Sequence, residues 1–166
     1  MKKVAEALKR IDEVIARGPF EPQWESLQSY RVPDTPCACV PVGTKPERTR
    51  PIGRYAIRSL ITSHAPGDRV APGSVEVRGL AFDAGSGIAR VMVSADAGQS
   101  WAQARLGPDL GRHAFRRWTA VLALRPGENM LMARAVSNAG ETQPFELRWN
   151  PSGYMRNLVE RVPVIA

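Results

Sequence analysis

The chain has 166 residues, of which 43% are hydrophobic, and a formal net charge of +7 from 23 Lys and Arg against 16 Asp and Glu. This composition excludes an intrinsically disordered protein, and the length suffices for one domain with attached segments. We expect no membrane partner, because no apolar run approaches the ~18 residues that a transmembrane helix needs. We also predict no signal peptide, because charged residues such as Lys9 and Asp12 interrupt the N-terminal apolar pattern.

Residues 1–17 are predicted to form a short amphipathic helix. Apolar side chains recur at the spacing of one helix face at Val4, Leu8, Ile11 and Ile15, and a Gly-Pro pair then ends the pattern. An isolated helix of this length is marginal in water. The helix should therefore dock on another surface.

Residues 18–54 are predicted to form an irregular arm, because prolines recur through the whole stretch. A loop this long is unusual inside a compact domain, so we expect it to pack on a neighbouring domain. The arm also holds most of the only local basic cluster, formed by Lys45, Arg48, Arg50, Arg54 and Arg58. No nucleic-acid-binding motif accompanies this cluster, so we interpret it as a basic linker and expect no nucleic-acid partner.

The two cysteines of the chain, Cys37 and Cys39, lie in this arm with one residue between them. A structural zinc site requires a second ligand pair elsewhere, and a thioredoxin-like redox motif has one more intervening residue. A structural pair and a redox or metal role therefore both remain open for these cysteines.

From residue 55 to residue 166 the sequence has the texture of β-structure. Short stretches alternate apolar and polar residues, and turn sequences such as the Ala-Asp-Ala-Gly of residues 95–98 separate them. This spacing predicts an antiparallel β-sandwich, and we expect Trp101 and Trp118 to fill its core. An immunoglobulin domain with a central disulfide is excluded, because both cysteines precede the strands. The predicted strands are 74–79, 88–94, 101–106, 115–124, 130–137, 143–149 and 159–165.

The titratable side chains of this region offer no catalytic constellation. There is no Ser-His-Asp or Cys-His spacing, and each candidate carboxylate lies where a β-turn favours Asp. We therefore predict no catalytic, cofactor-binding or metal-binding residues. The side chains interpreted as loop and turn positions are His64, His113, Asp83, Asp96 and Asp109.

An ordered set of motifs resembles the C-terminal, immunoglobulin-like dimerisation domain of bacterial sulfite oxidases and sulfite dehydrogenases. Each motif alone is weak, but the set in order is specific, and with the upstream segment the resemblance covers about 30–166. The motifs are VEVRGLAFD (75–83), GIARVMVS (87–94), DAGQSW (96–101), FRRW (115–118) and WNPSGYMRN (149–157).

This resemblance implies a non-catalytic β-sandwich module that forms a homodimer. In the intact family a molybdenum–molybdopterin cofactor oxidises sulfite to sulfate, and its ligand cysteine lies in an earlier domain that is absent from this sequence, so Cys39 is not that ligand. The resemblance therefore implies no cofactor and no activity in this chain alone, with the molybdenum domain on a separate chain or missing. Relatives in the family are often periplasmic.

The resemblance singles out one corner as a possible site, formed by Trp149, Asn150, Ser152, Gly153 and Arg156. In the family this stretch faces the molybdenum domain near the substrate anion pocket. Vertebrate-type members place an arginine at the position of Ser152, and Arg156 is the nearby candidate to replace it. The alternative interpretation is a corner that only packs domains together.

A second, shorter resemblance covers residues 11–33. The motifs GPF (18–20) and WESLQSYRVP (24–33) are similar to the N-terminal leader of bacterial α-L-fucosidases. The two patterns overlap at residues 30–33, which suggests a composite or truncated chain. The alternative function is accordingly a protein-binding module unrelated to sulfite oxidation.

Overall fold

The computed structural model describes residues 30–166, which form ten β-strands. In chain order the strands are β1 (Arg31–Pro33), β2 (Thr49–Pro51), β3 (Arg58–Ile61), β4 (Gly73–Phe82), β5 (Ile88–Ser94), β6 (Ala102–Gln103), β7 (Arg105–Leu106), β8 (Arg116–Leu124), β9 (Glu128–Ser137) and β10 (Arg161–Ile165). Eight of these strands make two four-stranded antiparallel sheets, in the orders β3-β4-β8-β7 and β10-β9-β5-β6, and β1 pairs with β2. The predicted antiparallel β-sandwich is thus confirmed.

The core lies between the two four-stranded sheets, because each sheet buries alternate residues of its strands. Trp118 of β8 is only 1% exposed and occupies the space above Gly79 of the neighbouring strand β4. A Cβ atom on Gly79 would stand 2.2 Å from the indole ring and 2.1 Å from the carbonyl oxygen of Leu60. The absence of a side chain at residue 79 is what admits the largest core residue.

The segment 102–106 passes from one sheet to the other. β6 pairs with β5, whereas β7, only one residue later, pairs with β8 of the opposite sheet. Ala104 lies at the crossing point, and its amide donates to the carbonyl of Val91 at 2.8 Å. The prediction of one continuous strand over 101–106 was therefore wrong.

Trp101, at the start of this segment, lies outside the core. Its ring nitrogen donates to the carbonyl of Gly98 at 2.9 Å, and its ring centroid is 6.0 Å from that of Phe145. The guanidinium of Arg134 lies 4.5 Å from the Phe145 ring centroid. The prediction that Trp101 fills the core was wrong. Instead, these three side chains cover part of the outer face of the β10-β9-β5-β6 sheet.

The predicted strand over 143–149 does not form. The side chain of Gln143 instead provides the hydrogen bonds to the neighbouring strands β3 and β9. Gln143 is fully buried, and its side-chain oxygen accepts from the backbone amides of Ser59 at 2.8 Å and Ala135 at 2.9 Å. Ser59 belongs to β3 and Ala135 to β9. A single side chain thereby links the two sheets, and Pro144 removes the next amide that a strand would need.

The Pro-rich arm is more ordered than predicted where the structure describes it. β1 and β2 pair in antiparallel register from Arg31↔Pro51 to Pro33↔Thr49, so the prediction of an irregular arm was wrong for these residues. The predicted helix over 1–17, and residues 18–29 of the arm, lie outside the described residues.

The strand β10 is held on both sides. It pairs with β9 through five residues, and the segment 67–70 lies along its other edge. The amide of Gly67 donates to the carbonyl of Pro163 at 2.8 Å, and the amide of Val70 donates to that of Ile165 at 2.9 Å. The edge of this sheet is therefore covered rather than open.

Candidate functional site

The corner at residues 149–157 is a turn organised by Asn150. Asn150 is 5% exposed, and its side-chain nitrogen donates to the carbonyl of Tyr154 at 2.8 Å. The amide of Gly153, with φ of +68°, donates to the backbone carbonyl of Asn150 at 3.1 Å. The side-chain oxygen of Asn150 is buried and has no hydrogen-bond partner among residues 30–166. The turn thus has a fixed shape with one acceptor left over.

The arm packs directly against this corner. The amide of Val40 donates to the carbonyl of Trp149 at 2.9 Å, and the ring of Tyr30 stacks on that of Tyr154 with 5.7 Å between centroids. Both contacts join the start of the described chain to its C-terminal part. The corner and the arm therefore form one structural unit.

A cleft opens between the arm and the corner. Arg50 and Cys37 line it on the arm side, and Arg148, Asn150 and Asn157 line it on the other. The two arginines give the cleft a positive charge, which suits an anion, whereas the unpartnered oxygen of Asn150 suits a hydrogen-bond donor. Arg50 also pairs with Asp34 at 3.8 Å, which offsets part of that charge.

The predicted corner residues do not all meet in this cleft. Asn150 lines it, whereas Ser152 and Gly153 are exposed in the turn. Arg156 lines a separate cleft together with His64 and Glu160. The sequence had not singled out Arg148, which lines the cleft beside Asn150. Arg148 lies directly before the motif 149–157, and this adjacency is the only signal that the sequence offers.

Cys37 and Cys39 are joined in a disulfide, with their Cα atoms 5.1 Å apart. The intervening Ala38 has φ of +51°, an uncommon conformation for a residue with a side chain. The hydroxyl of Thr35 accepts from the amide of Cys39 at 3.1 Å and donates to its carbonyl at 2.9 Å. Both cysteines are partly exposed.

The candidate carboxylates outside the corner are turn residues, as predicted. Burial alone would raise the pKa of Asp83, but hydrogen bonds from Ser86, Gly85 and Gly87 outweigh it and lower the pKa. The side-chain hydroxyl of Ser100 holds the pKa of Asp96 well below its ordinary value.

The remaining candidates are also loop residues. Asp109 accepts from the amide of Gly111 at 3.0 Å and pairs with Arg116. His64 and His113 lie in loops, and the Nδ1 atom of His64 is 2.8 Å from the hydroxyl of Ser63.

The outer face of the β3-β4-β8-β7 sheet carries an apolar patch at one end, formed by Tyr55, Phe82 and Phe115 and named here the outer-face patch. Phe82 meets Phe115 edge-on at 5.1 Å between ring centroids and Tyr55 at 6.4 Å. Val121 on the same face is 66% exposed. Arg117, exposed on that face, adds a positive charge. Aromatic residues with arginine are typical of protein interfaces.

The described residues do not fit a molybdenum ligand set. A thiolate ligand must be free to bind metal, and the sulfurs of Cys37 and Cys39 are bonded to each other. Within residues 30–166 there is also no group of three or more His, Cys, Asp or Glu side chains placed to hold a metal ion. In the same part of the chain, no helix has the length and apolar character to cross a membrane.

Comparison with known proteins identifies the family. Residues 49–166 match the family described as "Mo-co oxidoreductase dimerisation domain", which is most of the chain. The chain belongs to this family. Its two four-stranded sheets are therefore the fold of a dimerisation domain of molybdenum-cofactor oxidoreductases, and the resemblance inferred from the motifs is confirmed.

Curated relatives of this dimerisation domain are sulfite oxidases. The chain is 32% identical over 126 residues to the sulfite oxidase of Gallus gallus, covering 70% of this chain and 28% of that protein. It is 31% identical over 122 residues to the mitochondrial sulfite oxidase of Homo sapiens, covering 68% of this chain and 22% of that protein. The chain thus spans about a quarter of the length of these relatives.

A solved structure shares the fold of this dimerisation domain. The sulfane dehydrogenase SoxCD from Paracoccus pantotrophus superposes with a TM-score of 0.66 at 26% identity, covering 88% of this chain and 37% of that one. The similarity extends beyond residues 49–166, because 88% of the chain is more than that range contains.

Proposed function

We propose that this chain is a non-catalytic module that pairs two copies of itself through the outer-face patch. The observation that carries the proposal is that the two outer sheet faces differ. On the β10-β9-β5-β6 sheet, Trp101, Arg134 and Phe145 stack over part of the outer face. In the outer-face patch, Tyr55 is 70% exposed and Phe115 58% exposed. Burial of such a patch in a dimer removes apolar surface from water.

Sedimentation of the purified chain tests this proposal. We expect a dimer at tens of micromolar for the native sequence and a monomer for Phe115→Asp, because the dimer would bury an unpaired carboxylate from each copy in an apolar interface. Val42→Asp is the matched control, since Val42 is 78% exposed and lies off that sheet. It should leave the dimer intact. A monomeric native chain would contradict the proposal and direct attention to unrelated partners.

We also propose that any sulfite chemistry of the intact protein lies outside residues 30–166. The bonded cysteines support this inference, because the family's chemistry requires a thiolate ligand to molybdenum. Metal analysis of the purified chain is the test. Stoichiometric molybdenum in the preparation would overturn the inference.

The corner formed by Trp149, Asn150, Ser152, Gly153 and Arg156 is proposed to pack against a molybdenum domain near its anion pocket. The fixed turn at Asn150 and the positive cleft beside it support this role. Hydrogen exchange over 149–156 should slow when the molybdenum domain of a bacterial sulfite oxidase is added. Unchanged exchange, with binding shown by sedimentation, would place the contact elsewhere.

Three finer features of the architecture are part of the same proposal. The sandwich is proposed to be immunoglobulin-like over 55–166, and the arm of 18–54 to pack against a neighbouring domain. The segment 1–17 is proposed to be an amphipathic helix that docks on this assembly. Circular dichroism of the full chain and of residues 30–166 would test for the helix.

A further inference from the structure

We propose that the Cys37–Cys39 disulfide is a thiol–disulfide exchange site that accepts electrons from a thiol. The pair closes a loop of only three residues, with Ala38 between the cysteines. Loop-closure entropy is smallest for the shortest loops, so such a bond constrains the unfolded chain little. A contribution to stability is therefore a poor explanation for it.

The loop keeps its shape through hydrogen bonds that do not involve the sulfurs. The amide of Ala38 donates to the carbonyl of Thr35 at 3.0 Å, and the Thr35 hydroxyl bonds to both backbone groups of Cys39. Val40 is tied to Trp149. These bonds remain when the sulfurs separate. The pair can consequently change oxidation state without unfolding of the loop.

The two sulfurs differ in their surroundings. Both cysteines line an open groove with Val42, Phe145 and Leu147, which are exposed apolar side chains. Only Cys37 also lines the positive cleft that holds Arg50 and Arg148. Arg148 lines the groove as well as the cleft, whereas Arg50 lines only the cleft.

This arrangement assigns a direction to the reaction. An incoming thiolate attacks Sγ of Cys39, the S–S bond breaks, and Sγ of Cys37 leaves as a thiolate. Cys37, unlike Cys39, lines the cleft that holds Arg50, and neighbouring cations favour a leaving thiolate. A second thiolate then attacks the added sulfur of the mixed disulfide and releases Cys39. Overall, two thiols become one disulfide, the pair gains two electrons, and its two thiolates take up protons from water.

The first experiment measures reduction of the folded full-length chain. The chain is incubated with buffers of varied ratio of reduced to oxidised glutathione and, in a parallel arm, with a peptide that has one cysteine flanked by leucines. Alkylation and mass spectrometry then count free thiols. We expect reduction in native buffer at a rate within about tenfold of that in denaturant, because exchange rates follow access to the sulfurs. Faster reaction with the peptide would identify a polypeptide thiol as the preferred source.

Two sets of variants test the direction and the role. Arg148→Gln should slow the first step several-fold, whereas Arg90→Gln, an exposed arginine on β5, should not. Mass spectrometry of the trapped intermediate should place the added thiol on Cys39. The double variant Cys37→Ser/Cys39→Ser should retain the native thermal midpoint within a few degrees.

Opposite results would overturn the proposal. They are reduction that occurs only after unfolding, or a large loss of thermal stability in the double variant. Either outcome would make the bond structural. Neither outcome bears on the proposed dimer, which sedimentation measures separately.

Discussion

The side-chain oxygen of Gln143 accepts a hydrogen bond from the backbone amide of Ser59 at 2.8 Å, although 84 residues separate them in the chain. The same oxygen accepts from the amide of Ala135, and the side-chain nitrogen donates to the carbonyl of Asn157 at 3.2 Å. Gln143 thereby joins strands of both sheets to the last residue of the corner at 149–157. One buried side-chain amide therefore contributes both to the stability of the sandwich and to the position of the corner.

Gln143→Ala should lower the free energy of unfolding by about 3 kcal/mol or more, because each buried amide left without an acceptor costs about 1–3 kcal/mol. Urea denaturation followed by tryptophan fluorescence measures this change. Gln103→Ala, an exposed glutamine on β6, should change stability by less than about 0.5 kcal/mol. Equal effects from the two substitutions would contradict the role assigned to Gln143.

Gly79→Ala should destabilise the fold by about 1–3 kcal/mol or more, since the new methyl group overlaps both the Trp118 ring and the carbonyl of Leu60. Near-ultraviolet circular dichroism would report displacement of the indole. Gly53→Ala is the matched control, because no atom lies within 4 Å of its added Cβ. A neutral Gly79→Ala would show that the strand pair can widen to admit a methyl group.

Asp83 should make the fold sensitive to acid. Its folded-state pKa is lowered from 3.8, so its stabilisation is fully present above that value and is lost as the pH falls through the lower folded-state pKa. Asp83→Asn should therefore lower the thermal midpoint at neutral pH and reduce the further loss as the pH falls below about 4. Thermal melts across this range measure both effects. Glu146→Gln, which removes the same charge from an exposed position, controls for net charge.

Asn150→Ala should loosen the corner without unfolding the sandwich. The Tyr154 carbonyl would lose its side-chain donor, at a cost of about 1 kcal/mol. Trypsin should then cut faster after Arg156, which is exposed beside the turn, because proteolysis reports local opening. Ser152→Ala, an exposed residue of the same turn, should leave the cleavage rate unchanged. Faster cleavage in both variants would mean that Asn150 does not hold the turn.

The parts of the fold that local pattern determines were predictable. The strand predicted at 88–94 has the same bounds as β5, because a short apolar run with a turn at each end is typical of a buried strand. The segment 143–149 failed because its apolar residues imitate a strand. In the fold, the Gln143 side chain takes the place of a strand partner for the amides of Ser59 and Ala135. Ser59 is 84 residues away in the chain. The local sequence pattern does not predict such a long-range contact.

In the candidate site, too, local motifs were predictable and long-range contacts were not. The motif 149–157 pointed to the corner, but the pairing of Asn150 with Arg50 and Arg148 in one cleft required the arm to fold back on it. The spacing of Cys37 and Cys39 left a structural pair and a reactive pair open, and the disulfide alone does not decide between them. Periodicity and spacing in the sequence do not predict which side chains meet across the fold.

The position of β10 constrains when the domain can fold during its synthesis. Residues 161–165 complete the β10-β9-β5-β6 sheet and also bind the segment 67–70, which a ribosome produces about ninety residues earlier. Until they emerge, one edge of β9, the amides of Gly67 and Val70 and the carbonyl of Asp68 lack the partners that β10 provides. Such long-range pairing is slow and exposes strand edges to other chains. A nascent copy of this domain should therefore depend on chaperones until its final strand is available.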